Sequence, residues 1–372
     1  MGLIRVFLLC SLVFMTFCGK RVNKQGLPDD GTVVGDSSIV DLVLIYGGGK
    51  HRDVVWDKEH FAPYVSYVDT EKQENWMFDG FLFLEIVDGK RKIFATGYNG
   101  TPAGKDEWKA LADYYFVPDR CVDALNQTIE DKKNTLGTPH AKHKIVVAIP
   151  EPIVAGPDSH YKDIVSDYWG DLNGRILNFT DSKDRVDACK WYIDYVKTKF
   201  DAGNYQNLDL VGFYWIAEET LHTKPILSDV GAYLNGLGYS FNWIPYWKTN
   251  PDYYNWKDLK FNYVYLQPNY FFNEKVPYSR LPEVCNTVKQ YDMDIELEFD
   301  MRVFKDRGDR GNRLYDYMNA FRENGILENK RIAYYQDCDA LFHLSRAVDP
   351  QDVKLFHDFC SFVVEHQKQF KP

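Results

Sequence analysis

Acidic residues close two apolar runs of this 372-residue chain: Ala217-Glu218-Glu219-Thr220 and Asp294-Ile295-Glu296-Leu297-Glu298-Phe299-Asp300. In the second run, alternation puts Glu296, Glu298 and Asp300 on one face of an extended chain and Ile295, Leu297 and Phe299 on the other. Carboxylates aimed at a protein interior are costly, because desolvation and mutual repulsion both oppose charge. Two carboxyls facing each other across a pocket justify that cost. One protonates a leaving oxygen while the other attacks carbon or activates water, which is the pair that cleavage of a glycosidic bond requires. The plainer use is salt bridging, with Arg302 near enough in sequence to serve, but acids at the ends of two separate runs weigh against it. Glu218 and Glu219 point to opposite faces of an extended strand. Counting back by two from Glu219 gives the more continuously apolar set (Ala217, Trp215, Phe213, Val211), so Glu218 is the expected inward acid.

Further run ends add aromatic and amide groups: Trp243-Ile244-Pro245-Tyr246-Trp247, Gln267-Pro268-Asn269-Tyr270 and Tyr334-Tyr335-Gln336-Asp337. Aromatic faces stack on the CH faces of sugars, and amides and carboxylates bind hydroxyls. Any single ring is more often core than binding surface. Placement beside polar run ends singles out Trp247, Gln267, Asn269 and Tyr270. Other constellations are weaker. His140-Ala141-Lys142-His143 lacks a completing carboxylate and reads as a surface turn, so no metal site is expected. No Gly-x-Ser-x-Gly elbow occurs. Gly47-Gly48-Gly49-Lys50 has neither dinucleotide nor phosphate-loop spacing and reads as a tight turn, so no cofactor is expected. His51 and Arg52 stand equally well as substrate contacts or as a solvated turn, and Asp79 reads as structural. The polar run 305–313 reads as a solvated loop whose cations could meet an acidic sugar.

The elements that would bring these residues together follow from the apolar pattern. Short strand-like runs over 41–46, 78–84, 144–149, 208–215, 240–247, 261–267, 294–300 and 331–336 are separated by stretches with helical spacing. Such stripes are Trp108, Leu111, Ala112, Tyr115; Val186, Cys189, Ile193, Val196, Phe200; Leu314, Tyr317, Met318, Phe321; and Val353, Phe356, Cys360, Val363. Eight strands alternating with helices over this length predict a single-domain (β/α)8 TIM barrel over residues 39–372, with an open doubly wound sheet as the alternative. In the barrel all strand C-termini meet at one mouth, so the polar run ends converge there. The stretch 86–115, with Gly97-Tyr98-Asn99-Gly100, is expected as an insertion over that mouth.

The formal net charge of −10 argues against a nucleic-acid partner, and 45% hydrophobic with 16% aromatic residues against disorder. Arg5 followed by an apolar stretch to Phe17 reads as an export signal over residues 1–18. Met15-Thr16-Phe17-Cys18 resembles a bacterial lipobox with a bulky residue before the cysteine. That predicts lipidation at Cys18, a membrane anchor, and location in the periplasm or as an outer-membrane lipoprotein, with ordinary cleavage nearby as the alternative. Residues 19–38 read as a flexible tether. The remaining cysteines are too scattered for a disulfide framework and are expected as buried thiols.

Tyr46-Gly47-Gly48, Phe78-Asp79-Gly80-Phe81, Gly212-Phe213-Tyr214-Trp215 through Glu218, Trp243-Ile244-Pro245-Tyr246, Gln267-Pro268-Asn269-Tyr270 and Glu296-Leu297-Glu298-Phe299-Asp300 together resemble the DUF4855 proteins of gut Bacteroides and some Firmicutes. The resemblance covers nearly all of the chain beyond the tether. It implies a TIM-barrel glycoside hydrolase, with an acid after strand four (Glu218 or Glu219) and a nucleophile after strand seven (Glu298). The strand-end residues together predict a carbohydrate surface using Tyr46, Trp215, Trp247, Gln267, Asn269, Tyr270, Glu296, Asp300 and Gln336. The chain departs from retaining barrel hydrolases in having Ala217 where an Asn usually precedes the acid. Two other functions stay open: a carbohydrate-binding barrel without turnover, and a polysaccharide lyase using Arg302 or Arg52 with Tyr270.

Overall fold

The structure is a computed structural model that describes residues 39–48, 52–154, 167–248 and 251–371. The expected export signal, Cys18 and the tether lie outside these residues, as does His51. Eight strands, β1 (Asp41–Tyr46), β2 (Gly80–Leu84), β3 (His143–Ile149), β4 (Leu208–Trp215), β5 (Ser240–Trp243), β6 (Tyr263–Leu266), β7 (Asp294–Glu298) and β8 (Ile332–Tyr335), close a barrel. Each strand pairs in parallel with its sequence neighbours, and β8 closes on β1. Runs such as Leu42-Val43-Leu44-Ile45 and Ile145-Val146-Val147-Ala148-Ile149 are buried throughout, as parallel strands must be with helices outside and packed side chains inside. The ladders of β5, β6 and β7 end earlier than their apolar runs, so the residues that follow turn into the mouth.

Among the described residues the helices are α1 (Lys58–Val65), α2 (Lys105–Tyr115), α3 (Cys121–Leu136), α4 (Ser182–Gly203), α5 (Lys224–Gly236), α6 (Arg280–Gln290), α7 (Gly311–Glu323), α8 (Ala340–Leu344) and α9 (Pro350–Gln369). Asp57, Asp181 and Asp349 cap α1, α4 and α9 by accepting from backbone N–H groups of the first turn. The stripe expected on α4 is buried from Val186 to Val196. On α9 the buried face is Leu355, Phe359, Cys360, Phe362 and Val363, while Val353 and Phe356 are half-buried. Asp352 and His366 are buried there too, and including them rotates the inner face away from the purely apolar stripe. Cys121, Cys189, Cys285 and Cys360 are buried free thiols, and Cys338 is partly exposed.

The barrel floor, opposite the mouth, is held by buried polar groups. Asp79 accepts from the backbone N–H groups of Val40 and Asp41, a structural role. His366 sits between Asp41 Oδ1 at 2.6 Å and the Lys330 carbonyl at 2.9 Å. A carbonyl can only accept and Asp41 already accepts from Tyr334, so the ring donates from both nitrogens and ties α9 to β1. His143 corrects the expected surface turn. It is the first residue of β3, 4% exposed, and packs against Trp76 and Phe81, with burial and then Lys144 pushing its pKa down to about 4. The histidine heads the apolar strand, and pairing β3 with β4 carries it inside.

Candidate active site

Strand β4 reaches the mouth after a change of register against β3 between Leu210 and Gly212. Gly212 lies so close to β5 that a Cβ there would meet Ser240 Oγ at 2.0 Å, so the kink needs glycine. Beyond it, Tyr214, Ile216 and Glu218 all line a cleft in the mouth. This cleft has two lobes, of about 370 and 500 Å³, which share the wall formed by Tyr46, Ile86, Tyr98, Tyr214 and Glu218. The first lobe continues to Thr96, Glu151, Glu219, His222 and Tyr246. The second descends to Gln267, Asn269, Glu296, Glu298, Tyr335 and Asp337.

Glu218 is thus at the junction, partly exposed. Its Oε1 accepts from the Gln267 amide at 3.0 Å, and the same amide donates to the Ile244 carbonyl at 2.9 Å, which fixes its direction. Burial raises the Glu218 carboxyl above its ordinary range against the lowering effect of that hydrogen bond, and Glu219 adds to the rise. On the floor of the second lobe, Glu298 Oε2 accepts from the Asn269 N–H at 2.6 Å and the Tyr317 hydroxyl at 2.5 Å. Asn269 reaches this position with φ at 51°, a left-handed conformation that Asn tolerates better than most residues. Burial pushes Glu298 up to about 7 even against these two donors. Glu296 is 2% exposed and makes no hydrogen bond or ion pair among the described residues; burial, then Glu298 and Glu218, raise its carboxyl well above the usual range. Three carboxyls around one poorly hydrated floor cannot all ionise, so the floor keeps bound protons near neutral pH.

The family profile described as a domain of unknown function, DUF4855, matches residues 41–361. The chain belongs to the DUF4855 family. Solved structures similar to this DUF4855 barrel include a family 18 chitinase from Crocus vernus, at 12% identity and TM-score 0.42, covering 87% of this chain and 99% of the other. A candidate alpha-L-fucosidase from Bacteroides thetaiotaomicron follows at 11% identity and TM-score 0.42, covering 92% and 98%. A tryptophan synthase alpha-subunit from Pyrococcus furiosus stands at 10% identity and TM-score 0.36, covering 89% and 98%. No curated protein matches the sequence.

Of the residues singled out from sequence, the DUF4855 barrel brings Tyr46, Glu218, Glu219, Gln267, Asn269, Glu296 and Glu298 to the cleft. Glu219 lines the first lobe, exposed, accepting from the Tyr246 hydroxyl at 2.7 Å. Five others are elsewhere. Trp215, one residue from the inward Tyr214, is fully buried on the outer side of β4 with its ring edge on Phe241. Trp247 is flanked by Lys248 and Arg280, each over its ring. The Tyr270 hydroxyl donates to Asp316 at 2.6 Å, and Arg313 covers its ring. Asp300 lies past the end of β7, where it caps the turn Met301–Val303 and pairs with Arg302. Gln336 knits β8 to its surroundings by accepting from Tyr64 and Leu341 and donating to the Leu44 and Cys338 carbonyls. In the loop after β7, Arg310 pairs with Glu274 and donates to the Phe271 and Phe272 carbonyls.

Sequence reasoning passed over Glu151, Tyr98 and Tyr214. Glu151 follows β3 inside Pro150-Glu151-Pro152, a segment that also stops the strand. It is 3% exposed and accepts from the Thr96 N–H at 2.7 Å, with burial raising its carboxyl to about 7. The strand-end rule used for β4 and β7 would have found it, and also Glu85 after β2. Glu85 lies beneath the mouth and binds Arg52 through two contacts, at 2.5 and 2.6 Å. Arg52 lines the second lobe and also touches Cys338 Sγ at 2.6 Å, so it is a wall residue rather than a solvated turn. Tyr98 comes from the insertion, whose short pairing of Lys92–Ile93 with Thr101–Pro102 holds it over both lobes.

Proposed function

We propose that this DUF4855 protein is a glycoside hydrolase. Glu218 protonates the leaving glycosidic oxygen, and Glu298 meets the anomeric carbon, directly or through a water it activates. The observation that carries the reading is the position of Glu218 on the wall between two lobes, with Glu298 on the floor of only one. A general acid has to sit between the sugar being cut and its leaving group, and the carboxylate opposite has to sit under the sugar. Glu298 suits that place because the Asn269 N–H and the Tyr317 hydroxyl both donate to its Oε2 and hold the carboxyl in position. Glu218 suits its role because its raised carboxyl carries a proton farther toward neutral pH.

A barrel that binds sugar without turnover would be favoured if arginines sealed the acids. Arg302 is instead engaged by Asp300 and Arg52 by Glu85, and among the described residues Glu218, Glu296 and Glu298 make no ion pair. The lyase set is also dispersed, because Tyr270 faces Asp316. The test is a panel of purified glycans with product sizing for the wild type and Glu298→Gln. Products from the wild type and none from the folded variant are expected. Binding without products makes the protein a carbohydrate-binding barrel, and full activity in the variant removes Glu298 from the mechanism. Export and lipid anchoring at Cys18 belong to the same proposal, and Cys18→Ala is expected to move the protein from membranes to the soluble fraction.

A further inference from the structure

The mechanism above uses Glu218 and Glu298 but leaves Glu296 without a task. This carboxyl is 2% exposed, lines the second lobe and has no hydrogen-bond or ion-pair partner among the described residues. A buried polar group without a partner loses its hydration and gains nothing in return, so its presence at a cleft floor points to a ligand that supplies donors. The surrounding charge narrows what that ligand is. Glu151, Glu218, Glu219, Glu296, Glu298 and Asp337 line the two lobes. Of the residues lining the two lobes, the arginine is Arg52, and Glu85 already matches it. Among the described residues no His, Cys, Asp or Glu group is arranged to hold a metal ion. Tyr46, Tyr214 and Tyr335 line the same lobe, and their rings attract organic cations.

We propose that the sugar bound in the second lobe carries a free ammonium group received by Glu296, so that the substrate is a glycan of non-acylated amino sugars. The inference rests on the glycosidase reading for what happens next, but not for binding itself. An ammonium offers three donors and offsets the repulsion among Glu218, Glu296 and Glu298. A hydroxyl at the same place supplies one donor and leaves that repulsion intact, an N-acetyl group adds bulk and removes the charge, and a uronate adds a further negative charge.

The test measures binding of monosaccharides to the full chain by calorimetry: glucosamine and galactosamine, their N-acetyl forms, glucose, galactose and glucuronate. At least one free amino sugar should bind about tenfold or more tightly than its N-acetyl and neutral counterparts, the size of one charge-assisted hydrogen bond. Glucuronate should bind worst. In Glu296→Gln the preference should vanish, and in Glu296→Asp part of it should remain. The inference is overturned if neutral, N-acetylated or acidic sugars bind as well as the amine, if no free amino sugar binds, or if the preference survives in Glu296→Gln. The wild-type comparison stands whether or not the variants fold. Amino-sugar oligomers that bind but are not cut would refute the hydrolase reading and leave this one intact, whereas cutting that ignores the amine would do the opposite.

Discussion

Replacing the proposed nucleophile, Glu298→Gln, should make the protein more stable above neutral pH while abolishing turnover. The amide is isosteric and its oxygen still accepts from Asn269 and Tyr317, so the two hydrogen bonds on the floor persist. What the change removes is a carboxyl that burial lifts from the ordinary 4.5 to about 7. The native protein holds this proton over a range in which the unfolded chain releases it. The associated stability is therefore fully present below about pH 4.5 and is lost as pH rises through about 7. At roughly 1.4 kcal/mol for each pH unit, the loss levels off at about 3 to 4 kcal/mol. Glu151 and Asp79 add losses of the same sign, each rising to about 7 through burial, but they are common to both proteins and cancel in the difference. Urea unfolding of wild type and variant at about pH 4.5, 6 and 8 measures it. The two should coincide at the lowest pH and part by about 3 to 4 kcal/mol at the highest, the variant being the more stable. A variant no more stable at pH 8, or a gain independent of pH, would refute the burial argument. Stability gained where activity is lost marks a group kept for chemistry and not for folding.

Three further outcomes follow from the same geometry. Glu218→Ala should impair hydrolysis of natural glycans far more than of an activated aryl glycoside, which needs no acid, while Glu219→Ala should affect both alike; the reverse pattern would exchange their roles. Tyr317→Phe keeps the ring against Tyr270 and Phe321 but removes one donor from Glu298. It should lower kcat/KM about tenfold or more and move the pH limb that reports ionised Glu298 upward, and an unmoved limb would sink the assignment. His366→Leu strips Asp41 of its buried partner and should cost about 3 kcal/mol or more in urea unfolding. Burial alone would lower the pKa of His366, but Asp41 holds it above 6.5. The loss should therefore be full below about pH 6.5 and shrink as pH rises through the raised native value, and a loss that grows with pH would contradict the ion pair.

The sequence by itself determined the eight strands and the acids that close two of them, and it favoured the closed barrel over an open doubly wound sheet. A parallel barrel demands short strands apolar on both faces, and Leu42 to Ile45 and Ile145 to Ile149 meet that demand with no help from context. Alternation also put Glu296 with Glu298 inside β7, because period two holds as long as the chain stays extended, but past the end of β4 it fails: Glu218 and Glu219, expected on opposite faces, both line the cleft. Where the strand ends, that rule loses its force. Past Leu266 the chain turns through Asn269 at positive φ, so Asn269 meets Glu298 while its neighbour Tyr270 faces Asp316. Past Glu298, Asp300 turns aside to Arg302. Within β4 a single position separates Tyr214 in the cleft from Trp215 under the helices. Tertiary packing alone decided which strand-end groups share the cleft and that Glu296 is left without a partner among the described residues. Those facts depend on how loops from distant strands fold over one mouth, and spacing along one chain does not encode those distances.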